Sequence, residues 1–165
     1  MRKNQKGFSL IELLIVVAII LIIAAIAIPN LLRSRMAANE ASAVGSVRTI
    51  NTSEVTYNST WGVGFAGTLS NLGGAVGCTA SSTTACLVDP VLSAGAKSGY
   101  TFAAVGNTAV AGANQGYEVN ATPSSTSTGT RAFCSDQSGV IRYNTTGTAV
   151  GTAAGSCAAV TTIIQ

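Results

Sequence analysis

Met1-Arg-Lys-Asn-Gln-Lys6-Gly7-Phe8-Ser9-Leu10-Ile11-Glu12-Leu-Leu-Ile-Val-Val-Ala-Ile-Ile-Leu-Ile-Ile-Ala-Ala-Ile-Ala-Ile28 is the stretch on which the fold turns. From Phe8 to Ile28 only Ser9 and Glu12 are not apolar, and Leu13–Ile28 is uninterrupted. Twenty-one helical residues rise about 31 Å, enough to cross a bilayer core of about 30 Å. A lone carboxylate in hydrocarbon costs on the order of 2.5–3.5 kcal/mol, so Glu12 calls for a partner charge. Arg2, Lys3 and Lys6 precede the span and the next charge after Glu12 is Arg33. Basic flanks favour the cytoplasmic side, which puts the amino terminus inside; Arg33 and Arg35 pull weakly the other way.

Beyond Pro29, which tends to kink a helix, helical patterning resumes at Leu31. Met36, Ala43, Val47, Ile50 and Tyr57, with Val44 alongside, form an apolar stripe, and Arg33, Arg35, Arg48 and Asn51 fall largely off it. Gly45 and the Thr/Ser-rich Thr49–Thr56 weaken the helix, and its end is expected between Val55 and Thr60. Trp61 to Gly95 reads as a loop-rich connector, with Leu69-Ser-Asn-Leu72 a short turn or helix end. Four runs then have strand character: Tyr100–Val105, Tyr117–Thr122, Thr130–Cys134 and Val140–Tyr143. Gly106-Asn107, Pro123–Gly129 and Asp136–Gly139 separate them, which suggests an antiparallel meander. Val160–Ile164 offers a further strand. The sheet has an apolar face to cover, and the one-sided half of the helix is the long apolar stripe available. The expected fold is α+β: a long amino-terminal helix, transmembrane in its first half and amphipathic in its second, packed on a small antiparallel β-sheet head.

Lys6-Gly7-Phe8-Ser9-Leu10-Ile11-Glu12, followed by the apolar helix and Pro29, closely resembles the processing site of type IV pilins and of the type II secretion pseudopilins. The resemblance covers roughly the first 50 residues; beyond them it is one of layout. It implies a leader over residues 1–7, a membrane or filament-core helix over 8–28, the amphipathic half over 29–60 and a globular head over 61–165. It implies cleavage between Gly7 and Phe8 by a prepilin peptidase, N-methylation of Phe8, and a role for Glu12 in neutralising the terminal amine of a neighbouring copy. The implied partners are further copies of the chain in a helical filament, the peptidase and methylase, the inner-membrane assembly machinery and the membrane itself. The precursor would sit in the cytoplasmic membrane and the assembled chain in a surface filament. Pilin is preferred to pseudopilin because the chain has cysteines and few acids, whereas major pseudopilins carry an acidic calcium site and lack a carboxy-terminal disulfide. An ordinary signal peptide cut after Ala27 is the plainer rival, but its apolar region would be overlong and would contain Glu12. A monomeric membrane-anchored binding module is a third reading.

Cys78, Cys86, Cys134 and Cys157 are an even set in a chain read as exported, hence two disulfides with three possible connectivities. Cys78 and Cys86 share one loop, and Cys134 and Cys157 bracket the last hairpin and tail, so these pairs are preferred. The second resembles the carboxy-terminal disulfide loop of many type IV pilins. Each bridge is worth about 2–4 kcal/mol.

Other chemistry finds little support. The chain has no histidine and no C-x-x-C spacing, so neither a zinc site nor histidine-based catalysis is expected. Six scattered carboxylates argue against paired acid/base work. Asp136–Gly139 reads as a hairpin turn rather than a cation site, and the aromatic residues read as packing. No enzyme, cofactor or metal is expected. Formal charge is +3, but three cations lie in the leader and the remaining side chains, 6 basic and 6 acidic, balance. No specific nucleic-acid affinity is therefore expected.

Overall fold

The computed structural model describes residues 7–164. Of the leader expected over residues 1–7, all but Gly7 lies outside the described residues. The chain divides into two compact units, Met1–Arg35 and Met36–Gln165.

Helix α1, Leu10–Trp61, runs through both sequence regions and keeps Pro29 inside it. In the first unit every Leu, Ile and Val from Leu10 to Leu32 is 45–80% exposed. In the second unit Ala43, Val47, Ile50 and Tyr57 are buried in the core, and Val44 packs against it. Asn51, expected off the stripe, instead faces the sheet: its Nδ2 donates to Ser135 Oγ at 2.8 Å and its Oδ1 accepts from Tyr117 OH at 3.3 Å. The helix outlasts the expected Val55–Thr60 end by one residue. Thr49, Thr52 and Thr56 turn their hydroxyls onto the carbonyls four residues back, so they do not compete with the helix. Gly62, at φ 64°, then supplies the left-handed residue that ends it.

The connector holds two single-turn helices, α2 (Leu69–Leu72) and α3 (Pro90–Ser93). Five strands follow: β1 (Ala96–Lys97), β2 (Tyr100–Val110), β3 (Ala113–Pro123), β4 (Ala132–Asp136) and β5 (Arg142–Asn144). They form one antiparallel sheet in sequential order, so the meander is as expected in kind. It differs in detail. Gly106-Asn107 is not a separator; both lie in β2, opposite Tyr117 and Gly116. A Cβ at Gly106 would come within 2.6 Å of the Ala66 carbonyl, so close approach of the connector accounts for the glycine. The turn is Ala111-Gly112, with φ 50° and 85°, the pattern of a two-residue type I′ hairpin. The strand expected at Val160–Ile164 is reduced to one bridge, Ile163 to Arg142, supported by Tyr143 N–H donating to Thr162 O and Ile164 N–H to Ile141 O. The tail thereby covers the free edge of β5.

Candidate processing and assembly site

Gly7, Phe8 and Ser9 precede the helix, and both Gly7 and Phe8 are exposed. A Cβ at Gly7 would meet nothing within 4 Å. The Gly7–Phe8 bond is thus in exposed, non-helical chain immediately before a helix, which is where a peptidase can reach a backbone without unwinding one.

Ser9 caps the helix from just outside it. Its Oγ accepts from Ile11 N–H at 3.4 Å, its carbonyl from Leu13 N–H at 3.2 Å, and its own N–H donates to Glu12 Oε2 at 2.9 Å. Ser9-x-x-Glu12 is a capping-box sequence, with the glutamate three residues in and reaching back to the cap. Glu12 therefore closes the first turn of its own helix. Serine followed three residues later by glutamate was the signal for this, and the reading of Glu12 by its charge alone passed over it.

In the second unit the other five carboxylates share one habit, which charge counting did not show: each accepts at least one backbone N–H. Glu40, on α1, takes Thr130 and Arg131 N–H on Oε1 at 3.0 and 3.2 Å and the Arg131 guanidinium on Oε2 at 2.6 Å. Burial pushes its pKa up, but the Thr130 amide, the Arg131 guanidinium and the Thr130 hydroxyl together outweigh burial and hold it below the usual carboxylate range. Glu54, fully buried on α1, takes Ala66 N–H at 2.8 Å, and its other oxygen is buried without a partner among the described residues. Burial raises this carboxyl to about 7, the Ala66 amide pulling only partly back. Glu118, on β3, takes Gly155 and Cys157 N–H at 2.7 and 3.2 Å; burial raises it against those two amides. Asp89 caps α3 through Val91 and Leu92 N–H and pairs with Lys97 at 3.0 Å. Asp136 accepts Ser138 N–H at 2.8 Å within the β4–β5 turn and pairs with Arg142 at 3.4 Å.

The contacts of Glu40, Glu54 and Glu118 join α1 and β3 to the long connecting loops. The disulfides act on the same loops: Cys78 is bonded to Cys86, and Cys134 on β4 to Cys157 in the tail. Asn120, next to Glu118 on the same face of β3, adds a bond from Val150 N–H at 3.2 Å and one to Gly151 O. Among the described residues no three Cys, Asp or Glu side chains converge as a metal-binding group.

Comparison with known proteins bears on the first unit. The family described as Prokaryotic N-terminal methylation motif matches residues 2–28. The chain is 66% identical over 38 residues to the Type IV wide pilus major component PilA4 of Thermus thermophilus, an alignment covering 23% of this chain and 29% of that protein. No solved structure matches. The motif and this relative support a member of the pilin and pseudopilin family.

Proposed function

We propose that this chain, whose amino-terminal segment is that of a type IV pilin, is the structural subunit of a type IV pilus. The observation that carries the reading is the first half of α1, where apolar residues face outward on every side of the helix. A helix apolar all round belongs in lipid or inside a bundle. The precursor sits in the cytoplasmic membrane by this helix, with its amino terminus inside. A prepilin peptidase cuts Gly7–Phe8, Phe8 is methylated, and many copies leave the bilayer to bundle their helices into a filament.

Glu12 sets the register of that bundle. Its carboxylate pairs with the Phe8 amine of another copy, an attraction strengthened by low dielectric and satisfied only at the correct axial stagger. Apolar Leu and Ile packing tolerates sliding; the charge pair does not. The capping bond from Ser9 N–H uses Oε2, so assembly adds a partner to a carboxylate already fixed in position at the helix start.

Shearing cells and identifying this chain in the released fibres tests the reading, together with the mass of its terminal peptide. A fibre subunit beginning at N-methylated Phe8 is expected. A chain found only with the cell envelope and never in fibres sinks it, and a mature terminus at Ile28 would show an ordinary signal peptide instead.

A further inference from the structure

Arg33 and Arg35 close the apolar half of α1, and neither has a carboxylate partner among the described residues, whose three ion pairs involve Lys97, Arg131 and Arg142. Both are exposed. A neighbouring copy has little to offer them. Of its six carboxylates, Glu40, Asp89 and Asp136 already hold cations of their own, and Glu54 and Glu118 are buried on backbone amides. Glu12 lies 21 residues earlier on the helix, at the opposite end of the apolar run.

The position of the two arginines along the helix is specific. Leu10 to Leu32, which extends the apolar run past Pro29 and Asn30 to the last two leucines, rises about 33 Å, close to the thickness of a hydrocarbon core. Arg33 and Arg35 follow within about 5 Å, the depth of the phosphate layer. Their position around the helix is equally telling. Residues two apart do not share a helix face; they lie about 200° apart. One protein surface packed against the helix covers one of them, whereas a lipid leaflet surrounds both.

We propose that Arg33 and Arg35 form a cationic collar that binds the phosphates of anionic phospholipids where α1 leaves the bilayer. Arginine's planar fork suits a phosphate, and its stem lies along the apolar segment below. The collar fixes how deeply the helix sits and offsets the cost of placing positive charge on the outer side. The inference rests on the membrane-spanning reading of α1.

The test uses the full chain incorporated into floated vesicles of neutral phosphatidylcholine with phosphatidylglycerol at about one third, extracted gently and examined by native mass spectrometry for retained lipid. With each cation near an anionic surface worth about fivefold, the two together should favour phosphatidylglycerol over phosphatidylcholine about 25-fold, relative to their proportions in the vesicle. Arg33→Gln with Arg35→Gln should bring the ratio to parity, Arg33→Lys with Arg35→Lys should keep most of it, and Arg48→Gln, 13 residues beyond, should leave it unchanged. Wild-type chain showing no preference, the double glutamine variant keeping it, or Arg48→Gln abolishing it would each overturn the collar. A chain that fails to float with vesicles at all overturns the spanning reading first, which separates the two failures.

Discussion

The two halves of α1 have the same backbone conformation and opposite surfaces. Between Leu10 and Leu32 the side chains are almost all apolar and outward-facing, and Glu12 bonds to its own helix start. Between Met36 and Trp61 the apolar residues are fewer and one stripe of them, Ala43, Val47, Ile50 and Tyr57, is buried; Glu40 and Glu54 are buried too. The first half has more hydrophobic surface than its own unit can use, so its stability belongs to another medium or to other copies. The second half has too little to hold long glycine-rich loops by burial alone, and its carboxylates bond the loops' backbone directly. In the same helix, then, the glutamate in the first half bonds only within its own first turn among the described residues, and those in the second are committed across the fold.

The comparison breaks most visibly at Glu12. Glu12→Ala or Glu12→Gln should leave the protein in the membrane with an unchanged thermal midpoint for the sheet unit, yet abolish filaments; the alanine also loses the capping bond, about 1 kcal/mol at one helix end, which the glutamine oxygen keeps. Electron microscopy of sheared fractions from cells with no wild-type copy decides this, and abundant normal filaments would end the register argument. The converse substitution is Ile50→Ala. It removes a fully buried side chain from the core and should cost about 2–5 kcal/mol, read as a lower midpoint in detergent, with membrane insertion intact. A variant that instead failed to insert would mean that the two halves are not independent.

The first half was legible because it depends on composition alone: Phe8–Ile28 reads the same in any context. The stripe through Ala43, Val47, Ile50 and Tyr57 was legible for the same reason, as periodicity. The hairpin was not, because Gly106-Asn107 looks like a turn and Ala111-Gly112 is a weaker turn sequence than Asn-Gly; what settles it is the approach of Ala66 to Gly106, a contact 40 residues apart in the chain. The roles of Glu40, Glu54 and Glu118 were hidden likewise. Their partners lie 90, 12 and 37 residues away, and a backbone N–H leaves no mark in a sequence. Asn51 was misassigned since a polar residue beside a stripe reads as solvent-facing until Ser135 and Tyr117 are brought to it.

Four carboxylates of the second unit, Glu40, Glu54, Asp89 and Glu118, divide by sign, which gives a pH prediction. Burial raises Glu54 to about 7 and raises Glu118. A raised carboxyl binds its proton more tightly folded than unfolded, so its contribution is full below the unfolded value and is lost as pH rises through the folded one. Glu40 and Asp89 are lowered, Glu40 by the Thr130 amide and Arg131 outweighing burial, Asp89 by the Leu92 amide and Lys97. Their contributions are present above the unfolded value and lost as pH falls. Stability should therefore peak near about pH 4.5–5, decline on the acid side through Glu40 and Asp89, and decline towards pH 8 through Glu54 by at most about 3 kcal/mol. Glu54→Gln should flatten the decline between about pH 5 and 8 while leaving the acid limb. Equal slopes for the variant and wild type in thermal melts across that range would show that the buried, half-partnered carboxyl is not its source.

The smallest effect tests whether exposure separates the second unit's own carboxylates. Asp89 does the same backbone work as Glu54, accepting Val91 and Leu92 N–H, but its side chain is 44% exposed. Water can replace much of what it supplies, and its pair with Lys97 is a surface pair worth about 0–1 kcal/mol. Asp89→Ala should then cost about 1 kcal/mol, the usual value of a helix cap, and Lys97→Ala still less. Asp89→Asn, which keeps an oxygen that can accept the Leu92 N–H, should restore most of the loss because the cap matters more than the charge. If the asparagine variant were as unstable as the alanine one, the ion pair rather than the backbone contact would be what holds α3. The rule that carboxylates in this unit serve as fasteners of loop backbone would then stop at those that are buried.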